Sequence, residues 1–216
     1  MNNIFNISVS DKEAALALLN TYSTVVLKIK RFTIVFDPVK IKFPQDQNID
    51  IIIVTHEHSD HYDKELLIDL QKQKNAYILT TPYIAKRLGD MGGYVKSLEA
   101  NDTFHYNGID VFAEYSNHSA NNPLSFVISL GFVNIYHPND SRVFPEMSLI
   151  REKYHPELML FTGNLLSDVP EMAEIIKPNI ILSYQDIRYK DMKIPGIDIK
   201  TVKHGEVYIY RTSEMN

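Results

Sequence analysis

The feature that most constrains this chain is Ile49–Thr55, the run IDIIIVT, which is almost entirely apolar and stops at His56-Glu57-His58-Ser59-Asp60-His61. A short unbroken Ile/Val run has neither the period of an amphipathic helix nor the alternation of a half-exposed strand. It reads as a strand covered on both faces, the pattern of parallel strands flanked by helices. His56, His58, Asp60 and His61, four side chains of metal-ligating type, then fall within six residues. They sit on the loop leaving that strand, which is where α/β folds build their sites.

The rest of the chain supplies partners for such a strand. Ser10-Asp11-Lys12-Glu13 has the spacing of a capping box and predicts a short helix over Ala14–Leu19. Thr24–Ile29 and Phe32–Phe36 read as strands, the second ending at Asp37-Pro38. Asp63–Lys72 is an amphipathic helix with Leu66, Leu67 and Leu70 on one side, Ala76–Thr80 a strand, and Pro82–Leu88 a helix with Pro at its start. Strands are expected at Val95–Leu98, Asp102–Tyr106 and Ile109–Tyr115, the last ending at Ser116-Asn117-His118. Leu124–Leu130 and Phe132–Tyr136 form a hairpin around Gly131 that ends at His137-Pro138-Asn139-Asp140. A helix over Phe144–Lys153, a strand over Leu158–Phe161 and a helix over Val169–Ile176, capped by Ser167 or Asp168, follow. Ile180–Leu182 then runs into Ser183-Tyr184-Gln185-Asp186, and Ile199–Val202 with Glu206–Arg211 closes the chain as a hairpin.

Paired strands followed by βα alternation occur twice, and no Gly/Ser/Pro linker divides them. This predicts one domain over residues 1–216, of α/β class, made of two βα halves with helices outside two facing sheets. Ile51, Ile53, Phe126, Ile128, Ile135, Leu160 and Ile181 are the expected core.

Composition narrows the chemistry. Lys+Arg number 22 against 27 Asp+Glu, a net charge of −5. Such a chain is a poor partner for a phosphate backbone or an anionic membrane. Nucleic acid is therefore disfavoured, and a small-molecule substrate is expected. Cysteine is absent, which excludes disulfides, thiolate metal sites and a Cys nucleophile. Any metal must be held by His, carboxylate, amide or water. The N-terminus has neither the basic stretch nor the apolar core of a secretory signal. No apolar run approaches the roughly 18 residues of a membrane span. A cytoplasmic location is the expectation.

The spacing of the cluster speaks for metal. His56 and His58, two apart in a turn, can converge on one ion, and Asp60-His61 then faces a neighbouring point, an arrangement suited to two divalent ions. A His-rich polar loop without metal is the alternative, but four ligand-type residues are costly to place at a strand end without a use. His105, His155 and His204 read as surface or turn residues. His137 either supports the site or is a hydrogen-bonded strand-end residue. Asn117, Asn121 and Asn122 flank His118, as substrate contacts or simply as a polar loop. Asp37 is expected to hydrogen-bond nearby backbone or a ligand His.

The segment THEHSDH resembles the H-x-H-x-D-H signature of the metallo-β-lactamase superfamily. Asp37-Pro38 resembles the strand-ending Asp-Pro of its small metal-dependent hydrolases. Ile135–Ser141, IYHPNDS, resembles the IYHAGDT segment of the ascorbate-6-phosphate lactonase-like and uncharacterised metal-dependent hydrolase branch. Phe161-Thr162-Gly163 and Lys177–Gln185 resemble later strand ends of that branch, and the likeness covers about residues 20–211.

The resemblance implies a four-layer αββα sandwich and a hydrolase that uses one or two divalent ions, Zn or Mn. It implies that His56, His58 and His118 hold the first ion, and that Asp60 and His61 hold the second with Asp140 bridging. Asp60, His61 and Asp140 are then the catalytic set, acting on a small anionic substrate such as a lactone or phosphoester. Two positions depart from the pattern: Asn139 replaces a Gly, and Gln185 stands where the last metal His belongs. An amide carbonyl is a weaker zinc ligand than imidazole. The second site is thus weakened but filled, emptied, or rescued by Asp186 or Tyr184. The rival readings are a degenerate member that binds without turnover, favoured by Gln185, and a nucleic-acid phosphodiesterase, disfavoured by charge.

Overall fold

In the computed structural model, which describes residues 4–161, 168–184 and 192–212, the apolar run becomes strand β4 (Ile51–Val54), with all four residues fully buried. It lies between the parallel strands β3 (Thr33–Phe36) and β5 (Tyr77–Thr80). That position is what an unbroken Ile/Val run requires, because neither face meets water. The sheet continues through β2 (Val25–Lys28) and β1 (Glu13–Leu18) on one side and β6 (Val95–Ser97) on the other. Its far edge is the last strand of the chain, β14 (Tyr208–Arg211).

Helices α1 (Lys64–Lys74) and α2 (Pro82–Leu88) cover one face of this sheet. Leu67, Leu70, Ile84 and Leu88 pack there with Ile52, Val54 and Ile78. On the other face Ile51 and Ile53 are equally buried. Both helices start as the sequence requires. The Asp63 side chain accepts from Leu66 N, and the Thr81 hydroxyl accepts from Ile84 N just before Pro82. These elements, with Ala120–Asn122 and the chain from Lys203, form one compact unit.

The second unit, from residues 99–119 and 123–202, repeats the plan. Its seven strands are β7 (Thr103–Tyr106), β8 (Ile109–Tyr115), β9 (Leu124–Ser129), β10 (Asn134–His137), β11 (Leu158–Phe161), β12 (Ile180–Tyr184) and β13 (Asp198–Val202), in the sheet order β13-β12-β11-β10-β9-β8-β7. The β7–β10 half is antiparallel and the β10–β13 half is parallel. Helices α3 (Met147–Tyr154) and α4 (Asp168–Ile176) pack Met147, Ile150, Met172 and Ile176 against Val127, Tyr136, Met159 and Ile181. The α/β class therefore holds, with a mixed seven-stranded sheet and a helix layer in each unit. All seven expected core residues are at most 1% exposed.

Two expectations fail. Ala14–Leu19 is not a helix: Glu13–Leu18 is strand β1, paired antiparallel with β14 and β2. The capping-box contact does form, since Ser10 N donates to a Glu13 carboxylate oxygen at 2.9 Å, but it tightens a turn into a strand. Ala14 through Leu18 are at most 1% exposed, and burial on both faces overrides the helix propensity of alanine and leucine. The closing segments are not a hairpin either. β13 joins β12 in the second sheet, whereas β14 pairs with β1 in the first. Partners some 190 residues away in sequence are invisible to a local reading.

Candidate metal centre

The first unit fixes its histidines through one buried carboxylate. Asp37 follows β3, is fully buried and adopts a left-handed φ of 45°, a conformation Asp tolerates better than most residues. Its backbone is anchored on both sides, with its N–H donating to Ile53 O at 2.8 Å and its carbonyl accepting from the Thr24 hydroxyl at 2.9 Å. The carboxylate accepts Thr55 N at Oδ1 (2.8 Å), and both the Thr55 hydroxyl (2.8 Å) and His61 Nδ1 (2.9 Å) at Oδ2.

Counting protons assigns the tautomers. A carboxylate only accepts, so His61 carries a proton on Nδ1, and the neutral ring then has its lone pair on Nε2. The single Thr55 hydroxyl proton goes to Asp37. Thr55 Oγ1 therefore accepts from His56 Nδ1, 3.1 Å away, which leaves the Nε2 lone pair of His56 as well. A ligating His donates its other ring N–H in this way, to a carboxylate or another acceptor.

The three imidazoles are close together. The rings of His56 and His58 are 4.6 Å apart and nearly perpendicular, and those of His56 and His61 are 4.1 Å apart. A ring nitrogen of His56 lies within 4.8 Å of one on His58, and likewise of one on His61. His56 and His61 are buried, whereas His58 is half-buried. A turn from His58 O to His61 N (2.9 Å) shapes the loop, and the Ser23 hydroxyl donates to the Asp60 carbonyl. The Asp60 carboxylate is 55% exposed and 3.7 Å from His61 Nε2. Imidazole nitrogens beside an accessible carboxylate are a donor set that fits a divalent cation such as Zn or Mn.

Glu57, between the two histidines, turns to the 120–122 segment. Its carboxylate accepts Asn121 N (3.0 and 3.1 Å) and Asn121 Nδ2 (2.5 Å). Burial pushes the Glu57 carboxyl up, but the Asn121 side chain, the backbone N–H groups of Glu57 and Asn121, and His58 together hold it below the ordinary glutamate value.

In the second unit, His118 follows β8 and Asp140 follows β10, both half-buried. Their loops are stitched together. The Ser141 hydroxyl accepts Asn117 N at 2.9 Å, Asn117 O accepts Arg142 N at 2.9 Å, and Asn117 Nδ2 donates to Val143 O at 2.9 Å. Asn117 is thus a structural staple. His137, 1% exposed, accepts Asn139 N at Nδ1 (3.1 Å), across the turn whose αL residue is Asn139 (φ 58°). An accepting Nδ1 places the ring proton on Nε2, so His137 shapes the turn before Asp140. Asn at αL takes the place of the Gly in the resembled pattern with little strain.

Tyr184 ends β12 and is buried, while Gln185, Asp186, Thr162, Gly163 and Ser167 lie outside the described residues. His105 pairs with Asp110 at 2.6 Å in an exposed hairpin, His155 ends α3 at φ 46°, and His204 sits in a turn against Leu19 O. All three are surface or turn residues. Sequence reading missed Thr55, Ser141 and the Glu57–Asn121 pair. Only Thr55 carried a signal, as a hydroxyl residue next to a ligand-type His in a buried strand end.

The chain is similar to known proteins over most of its length. Residues 19–187 match the family model described as the beta-lactamase superfamily domain. A UPF0173 metal-dependent hydrolase of Thermoplasma acidophilum is 31% identical over 158 residues, covering 68% of this chain and 69% of that protein. One of Methanosarcina mazei is 30% identical over 156 residues, 64% of this chain and 66% of that protein, so the match spans about two thirds of such relatives. A metallo hydrolase from the archaeon Ignicoccus hospitalis has a similar structure, with TM-score 0.79 at 17% identity, covering 93% of this chain and all of that one.

Proposed function

This chain belongs to the beta-lactamase superfamily and, within it, to the UPF0173 metal-dependent hydrolases, and from that premise we propose that it hydrolyses a small anionic substrate, a lactone or a phosphoester, with one or two divalent ions, Zn or Mn. His56, His58 and His118 would hold the first ion. Asp60, His61 and Asp140 would hold the second, with Asp140 shared and Gln185 a weak further ligand. Residues 1–216 then act as a single domain, in the cytoplasm, on a small molecule and not on nucleic acid. The observation that carries this reading is the Asp37–Thr55 relay, which turns two buried imidazoles into Nε2 donors.

When bound, the metal supplies a water ionised near neutral pH and polarises the bond to be cleaved. The protein's own groups do the rest. His61 is held in orientation by Asp37, so ring position and tautomer are set before substrate arrives. Asp60, exposed and tied through its carbonyl, would take a proton at Oδ2 and return it to the leaving group. Asp140 is presented by a turn that His137 braces.

A second reading, a degenerate member with one metal or none that acts by binding, is favoured by Gln185 at the position of a metal His. The test is elemental analysis of protein purified without added metal, followed by an esterase, lactonase and phosphodiesterase panel with Zn²⁺ and Mn²⁺. Metal with turnover supports the hydrolase. One metal with no turnover in the panel supports the second reading. Absence of both metal and turnover overturns the hydrolase. No helix among the described residues is long and apolar enough to cross a membrane.

A further inference from the structure

Glu57 lies between two metal-ligating positions yet directs its carboxylate to Asn121, 64 residues away in sequence, receiving three hydrogen-bond contacts from one residue. Two come from a backbone N–H, so the contact fixes the course of the chain there. Asn122 follows at a left-handed φ of 53°, which turns the chain immediately after the pinned residue. Asn121 is only three residues beyond His118, and three residues span at most about 10 Å. Wherever Asn121 is pinned, His118 must follow within that radius.

We propose that Glu57 is a positioning residue for the third metal ligand: by pinning Asn121 to the loop of His56 and His58, it orders the segment that carries His118 before metal arrives. The proposal rests on the reading that His118 is a ligand. Ordering a ligand-bearing loop costs conformational entropy, and a contact made in advance removes that cost from metal binding. Glu57 thus raises metal affinity without touching the metal. Groups that orient metal ligands change affinity by about 10–100-fold when removed, and the same scale is expected here.

Competition of Zn²⁺ against a chromophoric chelator tests this on the full chain. Glu57→Ala and, separately, Asn121→Ala should weaken Zn²⁺ binding about 10-fold or more, Glu57→Gln should weaken it less, and the Asn121 amide should exchange faster with solvent in Glu57→Ala. The decisive arm repeats Glu57→Ala in a His118→Ala background, where it should change affinity less than about 2-fold because the ligand it serves is gone. Equal loss in both backgrounds would overturn the proposal, since Glu57 would then act through His56 or His58. Unchanged affinity in Glu57→Ala and Asn121→Ala would overturn it too, while leaving the metal reading intact. A wild-type protein that binds no Zn²⁺ overturns the metal reading and this proposal with it.

Discussion

The loop after β4 and the loops after β8 and β10 present the same kinds of side chain by different means. After β4 the imidazoles themselves are wired: one buried carboxylate, Asp37, sets the proton of His61 directly and that of His56 through Thr55. After β8 and β10 the backbone is sewn by Asn117, Ser141 and Arg142. The first arrangement fixes protonation state, the second fixes where the chain runs. One buried carboxylate gathers three donors after β4, whereas the ties after β8 and β10 are single contacts of neutral side chains and backbone.

Losses should therefore rank with the number of donors each change leaves without an acceptor. Asp37→Ala leaves Thr55 N–H, the Thr55 hydroxyl and His61 Nδ1 without their acceptor in a fully buried site. Three buried donors left unsatisfied, at about 1–3 kcal/mol each, should cost about 3–5 kcal/mol in denaturant unfolding and also lower metal affinity. An Asp37→Ala protein of normal stability would break the comparison at its root. Core truncation should not distinguish the two units: Ile53→Ala and Leu160→Ala, both fully buried, should each cost about 2–5 kcal/mol by the same measurement.

Ser141→Ala removes the acceptor of Asn117 N and should cost about 1–3 kcal/mol, with the proton positions on His56 and His61 unchanged. His58→Ala, at a half-buried ring, should stay within about 0.5 kcal/mol of wild type in the absence of metal while metal content collapses. Retention of wild-type stoichiometry would refute His58 as a ligand.

The smallest effect is a pH dependence far from the histidines. Burial pushes the Asp50 carboxyl above its ordinary 3.8, against the opposing pull of Thr33 N–H and the Asn48 side chain. The folded state therefore binds this proton more tightly than the unfolded chain. The stability it adds is fully present below pH 3.8 and is lost as pH rises through the raised folded value. Asp50→Asn should flatten that part of the stability curve, and an unchanged slope would contradict the assignment.

What could be read from sequence follows from the range of the forces involved. The buried run before His56 and the alternation of Phe126 and Ile128 are local patterns, and both survived. Ala14–Leu18 was misread because alanine carries no β signal, and only its neighbours β2 and β14 decide its state. The histidines were legible as a motif. Their tautomers were not, because these depend on Asp37 meeting His61 across 24 residues. Asn117 stayed open between a substrate contact and a polar loop residue, since nothing in sequence shows that Ser141 and Val143 lie beside it.

The central claim is that His56 and His61 offer Nε2 because Asp37 and Thr55 hold Nδ1–H. Long-range ¹H–¹⁵N NMR of the metal-free protein, with ring assignments from His56→Gln and His61→Gln, reads this directly. The account predicts Nδ1–H tautomers for both residues and a shift of both Nε2 signals when Zn²⁺ is added. Nε2–H tautomers, or Nε2 signals that ignore Zn²⁺, would contradict it.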